Sequence, residues 1–144
     1  MQSEIWKPIS EYNGYYEVSN KGRVRSVTRK IERTDPHNPN KKRLFTYKGK
    51  LVKFWITKKG YLRCTLCINS VSKKHLIHRL VAKEFIKNPE GKKQINHKNC
   101  VKSDNNVDNL EWCSNYENWL HSAKNGKQDN SHKTNGVRNM SSYK

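Results

Sequence analysis

The sequence predicts an α+β fold in which a β-hairpin and a small antiparallel sheet precede a unit of strand, loop, strand and helix. Three observations support this prediction. Short segments rich in β-branched and aromatic residues alternate with turn-forming residues in the first half of the chain. Apolar residues follow helical spacing in two later segments. The length of 144 residues suits one domain with a modest core.

Residues 1–30 are predicted to form an aromatic anchor followed by a β-hairpin. The segments "YYEVS" and "RVRSV" have strand composition, and residues 20–22 supply the turn between them. Period-two alternation places Arg23 and Arg25 on one face and Val24 on the other. We therefore expect a ribbon that packs on its apolar side and offers two arginines to phosphates, although an ordinary solvated face is the alternative.

Residues 31–59 are predicted to be a basic loop followed by a linking strand. The stretch "RKIERTDPHNPNKKRLFTYKGK" contains two prolines and several asparagines without apolar periodicity, which is typical of a mobile loop. Lys41, Lys42 and Arg43 in this loop are candidate DNA contacts. Simple solvation of these side chains is the competing interpretation.

Further strands and a helix are predicted after Leu51. The segments "LVKFWIT", "YLRCTLCI" and "KKHLIH" have strand composition and are separated by turn residues. In "LIHRLVAKEFIKNP" the apolar residues have helical spacing, and Asn88 with Pro89 ends the helix. His78 on this helix is expected to be a core residue or to support a site.

The segment from Gln94 to Lys124 carries the densest set of polar side chains. "QINH" and "NLEWCS" are predicted strands joined by a long loop, in which Asn99, Asn105 and Asn106 are assigned to turns. Ser114 and Glu117 form an S-x-x-E capping box, which predicts a helix from Asn115 onward.

That predicted helix has an apolar stripe at i, i+3, i+4 and i+7, which we expect to attach the helix to the core. Asn118 and His121 lie beside the stripe. Its members are Tyr116, Trp119, Leu120 and Ala123. From residue 125 to residue 144 the sequence is polar and basic, which predicts a flexible tail.

The charge indicates the class of partner. There are 30 Lys and Arg against 12 Asp and Glu, a net charge of +18, of which residues 1–60 carry +10. Solubility alone needs a net charge of only about 2–8 in magnitude, so the excess favours a nucleic acid. No apolar run approaches the ~18 residues of a membrane helix, and no signal peptide is evident, so we expect a cytoplasmic protein without a membrane partner.

Two stretches resemble known motifs. The segments "HLIHRLVAKEFI", "INHKN", "DNNVDNLEWCS" and "NYEN", within residues 60–124, are similar to the HNH nuclease motif, the ββα-metal fold, of phage and intron-encoded homing endonucleases. The segments "IWKPI" and "GYYEVSNKGRVRS" resemble the NUMOD4 element that precedes such nucleases. The resemblance implies a site-specific endonuclease that hydrolyses double-stranded DNA in a bacterial host cell, encoded by a phage or mobile element.

The HNH resemblance also implies roles for individual residues. His97 would be the general base, and Asn109 would orient its imidazole. Asn96 and Asn118, with His121 as a possible addition, would bind one divalent ion, Mg²⁺ or Mn²⁺. Many family members have Asp at position 96 and His at position 118, so this chain would present a ligand set without formal negative charge.

Zinc and a non-catalytic role are the alternatives. Cys64 and Cys67 form a C-x-x-C, but they point to opposite faces of a predicted strand, and Cys100 and Cys113 have twelve residues between them. Structural zinc is therefore not expected. A nucleic-acid-binding module without cleavage, either a degenerate nuclease or a basic RNA-binding protein, would use the same charge. Monomer and homodimer both remain open.

Overall fold

The N-terminal segment forms a small antiparallel sheet. The computed structural model describes residues 2–126. Strands β1 (Trp6–Pro8), β2 (Tyr16–Ser19) and β3 (Val24–Ser26) pair in chain order. The turn between β2 and β3 includes Gly22 with φ +81°, a conformation that glycine adopts without steric cost. The predicted hairpin is confirmed.

The two faces of this hairpin differ as predicted. Val18 and Val24 are paired across the strands and are buried, whereas Arg23 is exposed and Arg25 is half-buried. The apolar side therefore anchors the sheet in the core, and the arginines lie toward the surface.

Residues 29–47 form a two-stranded ribbon, so the predicted mobile loop is wrong. Strand β4 (Arg29–Asp35) pairs with β5 (Asn38–Tyr47) in antiparallel register. The Asp35 carboxylate accepts a hydrogen bond from the backbone N–H of His37 at 2.9 Å, which stabilises the turn. Nearly every side chain of β5 is exposed. Because most side chains on both faces of the ribbon are exposed, the sequence has no clear period-two apolar pattern to reveal it.

A second three-stranded sheet follows, as predicted. Strands β6 (Phe54–Ile56), β7 (Leu62–Ile68) and β8 (Val71–Leu76) are antiparallel neighbours in that order. Asn69 and Ser70, in the turn between β7 and β8, both have positive φ, at 50° and 64°. Such values match the right-handed twist of a tight hairpin.

Helix α1 (Ile77–Phe85) continues directly from β8 and confirms the predicted helix. Ile77, Leu80 and Val81 are at most 4% exposed, so the predicted apolar face lies in the core. Neither helix in residues 2–126 is long and apolar enough to cross a membrane.

The strand, loop, strand and helix unit is also present. Strand β9 (Gln94–His97) pairs antiparallel with β10 (Leu110–Cys113), and α2 (Asn115–Lys124) follows. The Ser114 hydroxyl accepts from the Glu117 N–H at 3.1 Å, and the Glu117 carboxylate accepts from the Ser114 N–H at 2.7 Å. This capping box starts the helix at the predicted residue.

The predicted apolar attachment of α2 is wrong. Tyr116 and Trp119 are 67% and 57% exposed, and their rings stack on each other with centroids 6.1 Å apart. The half-buried residues of the helix instead include polar side chains at i, i+3 and i+4 spacing. They are Asn118, Leu120, His121 and Ser122. The helix therefore meets the strands through a partly polar face, which the apolar periodicity could not indicate.

One hydrophobic core joins the predicted N-terminal element, residues 1–30, to the predicted nuclease segment, residues 60–124. The N-terminal sheet and β7, α1, β9 and β10 all contribute to it. Its members are Ile9, Tyr12, Val18, Val24, Cys64, Leu66, Ile77, Leu80, Val81, Ala82, Ile95 and Leu110. The predicted tail falls, from residue 127 on, outside the described residues.

Candidate active site

The candidate site begins at the end of β9. Asn96 and His97 are 6% and 5% exposed, which is unusual for polar side chains and requires partners. In the strand register Asn96 lies opposite Glu111, and His97 lies opposite Leu110. Because consecutive strand residues project to opposite faces, the two polar side chains have separate surroundings.

The imidazole of His97 is hydrogen bonded to Asn105, which the sequence assigned to turn formation. His97 Nε2 lies 3.0 Å from Asn105 Oδ1, and Asn105 is only 3% exposed. An amide oxygen accepts, so in this arrangement Nε2 carries the proton and Nδ1 has the free lone pair. Burial lowers the pKa of His97, opposed by the bond to Asn105 and the charge of Asp104. The ring is therefore neutral at pH 7.

Two more rings surround His97. The His78 ring lies edge-on with its centroid 5.1 Å away, and the Tyr61 centroid is 6.0 Å away. Lys102 Nζ lies 4.9 Å from the Tyr61 centroid, a cation–π contact. Burial, with the charges of His97 and Arg79, lowers the pKa of His78 to about 3, so His78 is a neutral neighbour. Its expected supporting position is consistent with this packing.

Asn109 was predicted to orient the imidazole of His97, but its side chain bonds to other residues. It lies in a short 3-10 helix, Val107–Asn109, just before β10. Its amide accepts from the Asn99 N–H at 3.0 Å and donates to the Asn99 Oδ1 and the Asp104 carbonyl, each at 2.9 Å. Both ends of the amide are occupied by the loop, so Asn109 stabilises the loop that carries Asn105.

Asn96 has a charged partner that sequence reasoning missed. Its Nδ2 donates to the Glu111 carboxylate at 2.8 Å, and the Asn96 Oδ1 takes no part in this bond. The pairing register of β9 with β10, unknown from sequence, would have identified the contact. The surroundings of Asn96 therefore include one formal negative charge.

His121 and Asn118 differ in their engagement. His121 Nε2 lies 3.1 Å from the Lys98 carbonyl, and Nδ1 lies 3.9 Å from the Cys100 sulfur. Both ring nitrogens thus have partners within the loop, which disfavours His121 as a metal ligand. Asn118 is half-buried, and its side chain forms no hydrogen bond to any residue within 2–126.

The predicted phosphate-binding arginines are paired with acids. Arg23 forms an ion pair with Glu4, and that bond lowers the pKa of Glu4 to about 2. Arg25 pairs with Glu17 at 2.6 Å and lies over the Trp6 ring at 4.1 Å. Their charges are therefore partly neutralised within the hairpin.

The ribbon of β4 and β5 exposes the other predicted basic residues. Lys41 is exposed, Lys42 pairs with Glu32 at 3.4 Å, and Arg43 pairs with Asp35 at 2.6 Å. The Lys42–Glu32 pair is exposed on both sides and yields readily to a competing phosphate. The Asp35 carboxylate that pairs with Arg43 is buried, with 4% of its side chain exposed.

The cysteines occupy the predicted faces. Cys64 is buried and Cys67 is exposed on the same strand, and Cys113 is buried. Burial raises the pKa of Cys64 and of Cys113 to about 11, so both are protonated thiols. Among residues 2–126, no cluster of three or more His, Cys, Asp or Glu side chains could hold a metal ion.

Two family profiles match the chain. The NUMOD4 motif matches residues 4–67, which extends well beyond the predicted residues 1–30. The HNH endonuclease profile matches residues 75–120, which include α1, the paired strands and most of α2.

Individual relatives agree with these profiles. Two uncharacterised HNH endonucleases of Acanthamoeba polyphaga mimivirus are 38% and 37% identical over 84% and 86% of this chain, and over 30% and 27% of their own lengths. The DNA endonuclease I-HmuI of Bacillus phage SP01 is 34% identical over 74% of this chain and 51% of its own. This chain thus spans at most about half of these relatives.

A solved structure describing DNA binding and cleavage by the HNH homing endonuclease I-HmuI superposes with a TM-score of 0.69 and 29% identity, covering 93% of this chain and 66% of that one. The α+β architecture of small antiparallel sheets and helices is therefore shared. With both motifs matched in order, this chain belongs to the HNH endonuclease family and carries a NUMOD4 motif before its HNH segment.

Proposed function

We propose that this protein is a divalent-metal-dependent, site-specific endonuclease that hydrolyses phosphodiester bonds of double-stranded DNA, with His97 as the general base. The observation that carries the proposal is the buried, neutral imidazole of His97, bonded through Nε2 to Asn105 at the end of β9.

The base follows from the hydrogen bonding of His97. Donation from Nε2 to Asn105 leaves the Nδ1 lone pair to accept a proton from an attacking water. The lowered pKa keeps this lone pair available at neutral pH. In this role Asn105 replaces the predicted Asn109 as the residue that orients the ring.

The donor set fits a hard divalent ion. Asn96 presents an amide oxygen, its partner Glu111 supplies a carboxylate, and the amide of Asn118 on α2 has no hydrogen-bond partner among residues 2–126. Oxygen ligands of this kind are those that Mg²⁺ and Mn²⁺ prefer. When bound, the ion would stabilise negative charge on the phosphate and the leaving oxygen. Asn96, Glu111 and Asn118 would bind it, with His121 engaged elsewhere.

DNA binding would use the basic surface. The exposed ribbon carries Lys41, Lys42 and Arg43, and a two-stranded ribbon is narrow enough for the major groove. Arg23 and Arg25 would add phosphate contacts if DNA displaces their acidic partners. The net charge of +18 supports strong, salt-dependent association.

A cleavage assay tests the proposal. Purified protein is incubated with supercoiled phage or plasmid DNA and Mg²⁺ or Mn²⁺, with EDTA as the metal control. We expect nicked or linear product that disappears in EDTA and with His97→Ala. His75→Gln is the matched control, because His75 bonds to the Tyr12 hydroxyl at 2.8 Å rather than to the site.

Binding without cleavage under every divalent ion would favour the alternative, a nucleic-acid-binding module. Equal cleavage by wild type and His97→Ala would remove His97 from the reaction while leaving the endonuclease activity itself intact.

A further inference from the structure

We propose that the turn of the N-terminal hairpin is a positioning element of the active site: Gly22 fixes Asn105, and Asn105 fixes the imidazole of His97. The inference rests on the proposed function, in which His97 is the base. It assigns to the NUMOD4 segment a role in the chemistry as well as in DNA binding.

The contact between the two segments is close. A Cβ atom built on Gly22 would lie 2.7 Å from the Cβ of Asn105 and 3.0 Å from its carbonyl oxygen. Real Cβ atoms essentially never approach another carbon this closely, so only glycine fits while Asn105 keeps its place. The turn thus forms one wall of the space that Asn105 occupies.

A hydrogen bond joins the same two segments. The Val107 N–H donates to the Asn20 carbonyl at 2.8 Å, two residues beyond Asn105. Asn20 is 4% exposed, and its Oδ1 accepts from the Ile5 N–H at 2.8 Å. The loop of the site is therefore attached to Asn20, which is itself bonded to Ile5, the residue just before β1.

The hairpin turn is well ordered by its own bonds. The Gly22 N–H donates to the Ser19 carbonyl at 3.0 Å, and the Ser19 hydroxyl accepts from the Arg23 N–H at 3.0 Å. Ser19 is fully buried. A turn with these bonds can hold a neighbouring side chain in place.

Asn105 depends on this wall because little else orients its amide. Its Oδ1 bonds to His97, but its buried Nδ2 has no hydrogen-bond partner within the described part of the chain. Packing must therefore decide where the amide plane lies. A displaced Asn105 would lose the bond to Nε2 and with it control of the His97 tautomer.

Two glycines provide a matched comparison. Gly14 and Gly22 have φ of +80° and +81°, so alanine suffers similar backbone strain at either position. Around Gly14 nothing lies within 4 Å of the added Cβ, whereas Gly22 meets Asn105. Any difference between Gly14→Ala and Gly22→Ala therefore reports the contact with Asn105.

The experiment measures cleavage rate with Mg²⁺ and the ring ¹⁵N chemical shifts of His97 during a pH titration. For Gly22→Ala we expect a rate loss of about tenfold to a hundredfold and ring shifts of mixed tautomers, because the bond from His97 Nε2 to Asn105 is lost. Gly14→Ala should keep the wild-type tautomer and cut within about twofold of wild type.

A double-mutant cycle tests the route through Asn105. Asn105→Gly removes the crowded side chain and should reproduce the shifts and rate of Gly22→Ala. Adding Gly22→Ala to Asn105→Gly should change neither readout further. The double variant can also be measured if Gly22→Ala alone does not fold, because the shortest contact, 2.7 Å to the Asn105 Cβ, is then absent and only the contacts of 3.0 Å and 3.2 Å to the Asn105 backbone remain.

The inference is overturned if Gly22→Ala matches Gly14→Ala in the His97 shifts, or if the double variant loses rate beyond Asn105→Gly. The chemical shifts need no cleavage. If wild type never cuts DNA, the proposed function fails, while the titration still decides whether the turn controls the His97 ring.

Discussion

At the scale of single residues, opposing influences act on the imidazole of His97. Burial lowers its pKa and so does the charge of Lys102, while the bond to Asn105 and the charge of Asp104 raise it. Since the lowered pKa lies below the usual 6.5, the base form persists at neutral pH and is lost as the pH falls through the folded value.

The pH profile of kcat/KM should show this. We expect an acid limb with a midpoint below 6.5. Lys102→Gln removes a charge that lowers the pKa of His97, so the midpoint should move to higher pH. Lys98→Gln, which removes a charge from the same loop, is the control; an equal movement with both variants would indicate a general charge effect.

Glu111 provides a second test at this scale. Glu111→Gln keeps an oxygen for the Asn96 amide but removes the charge beside it. We expect the Mg²⁺ concentration for half-maximal cleavage to rise by roughly fivefold, equivalent to about 1 kcal/mol. The thermal stabilisation by Mn²⁺ should shrink in parallel.

Asp108→Asn is the control for that measurement, because Asp108 is exposed on the neighbouring 3-10 helix. An unchanged metal requirement in Glu111→Gln would exclude Glu111 from the ligand set.

These residues also mark the limit of sequence reasoning about the site. His97 and Asn96 could be selected because the motif spacing identifies them. Asn105 could not be separated from Asn109, because both are asparagines in one loop and only the path of that loop decides which faces the ring. Glu111 required the strand register, which apolar alternation alone leaves undetermined.

At the scale of elements, the start of α2 is marked in the sequence by its capping box, but the helix packs on the strands through a partly polar face. The capping box was evident from sequence because its residues are three apart, whereas the exposure of Tyr116 and Trp119 depends on what the helix packs against. Helical periodicity identifies a stripe and does not tell which side is covered.

Stability measurements distinguish these features of α2. Ser114→Ala should lower the free energy of unfolding by about 1 kcal/mol through loss of the cap. Trp119→Ala should lower it by less than about 0.5 kcal/mol, since its ring is mostly exposed. Urea titration of both variants checks this order, and a larger loss for Trp119→Ala would restore the predicted role of the aromatic stripe.

The ribbon of β4 and β5 is the element that sequence reasoning assigned to a loop. Its strands alternate between two solvated faces, so the usual apolar signal is absent. Its register nevertheless brings Arg33 opposite Arg43, and Lys42 lies next in the same strand. Such a concentration of charge on an exposed ribbon favours contact with a polyanion.

Salt dependence of DNA binding tests the ribbon. We expect the combined replacement of Lys41, Lys42 and Arg43 by Ala to reduce the slope of log K against log salt by up to about three, one per lost phosphate contact. Arg23→Ala with Arg25→Ala should reduce the slope by no more than about two, because it removes two charges and both are paired with acids. Fluorescence anisotropy at several salt concentrations measures both; an unchanged slope in the ribbon variant would contradict its proposed role.

At the scale of the whole molecule, acid stability depends on a histidine in the interior. His78 is 5% exposed with a folded pKa of about 3, against 6.5 for an ordinary histidine. The contribution of neutral His78 to the free energy of unfolding is complete above pH 6.5 and declines as the pH falls toward 3. It declines because His78 binds a proton in the unfolded chain at a higher pH than in the folded protein.

As the pH falls from 6.5 to 4.5, we therefore expect the free energy of unfolding of wild type to decrease by about 2–3 kcal/mol more than that of His78→Phe. His37→Phe, at the exposed turn of the ribbon, is the control. The measurement is urea unfolding at each pH; parallel curves for wild type and His78→Phe would contradict the assignment.

The core that combines Ile9 and Val18 with Leu66, Val81 and Leu110 limits how such proteins can recombine. A chimera that exchanged the first sixty residues for those of a distant relative would expose part of the hydrophobic interior and alter the wall beside Asn105. Successful exchange would require matched pairs of segments. The two sequence motifs are therefore expected to be inherited together. Protein engineers should place domain boundaries outside both motifs.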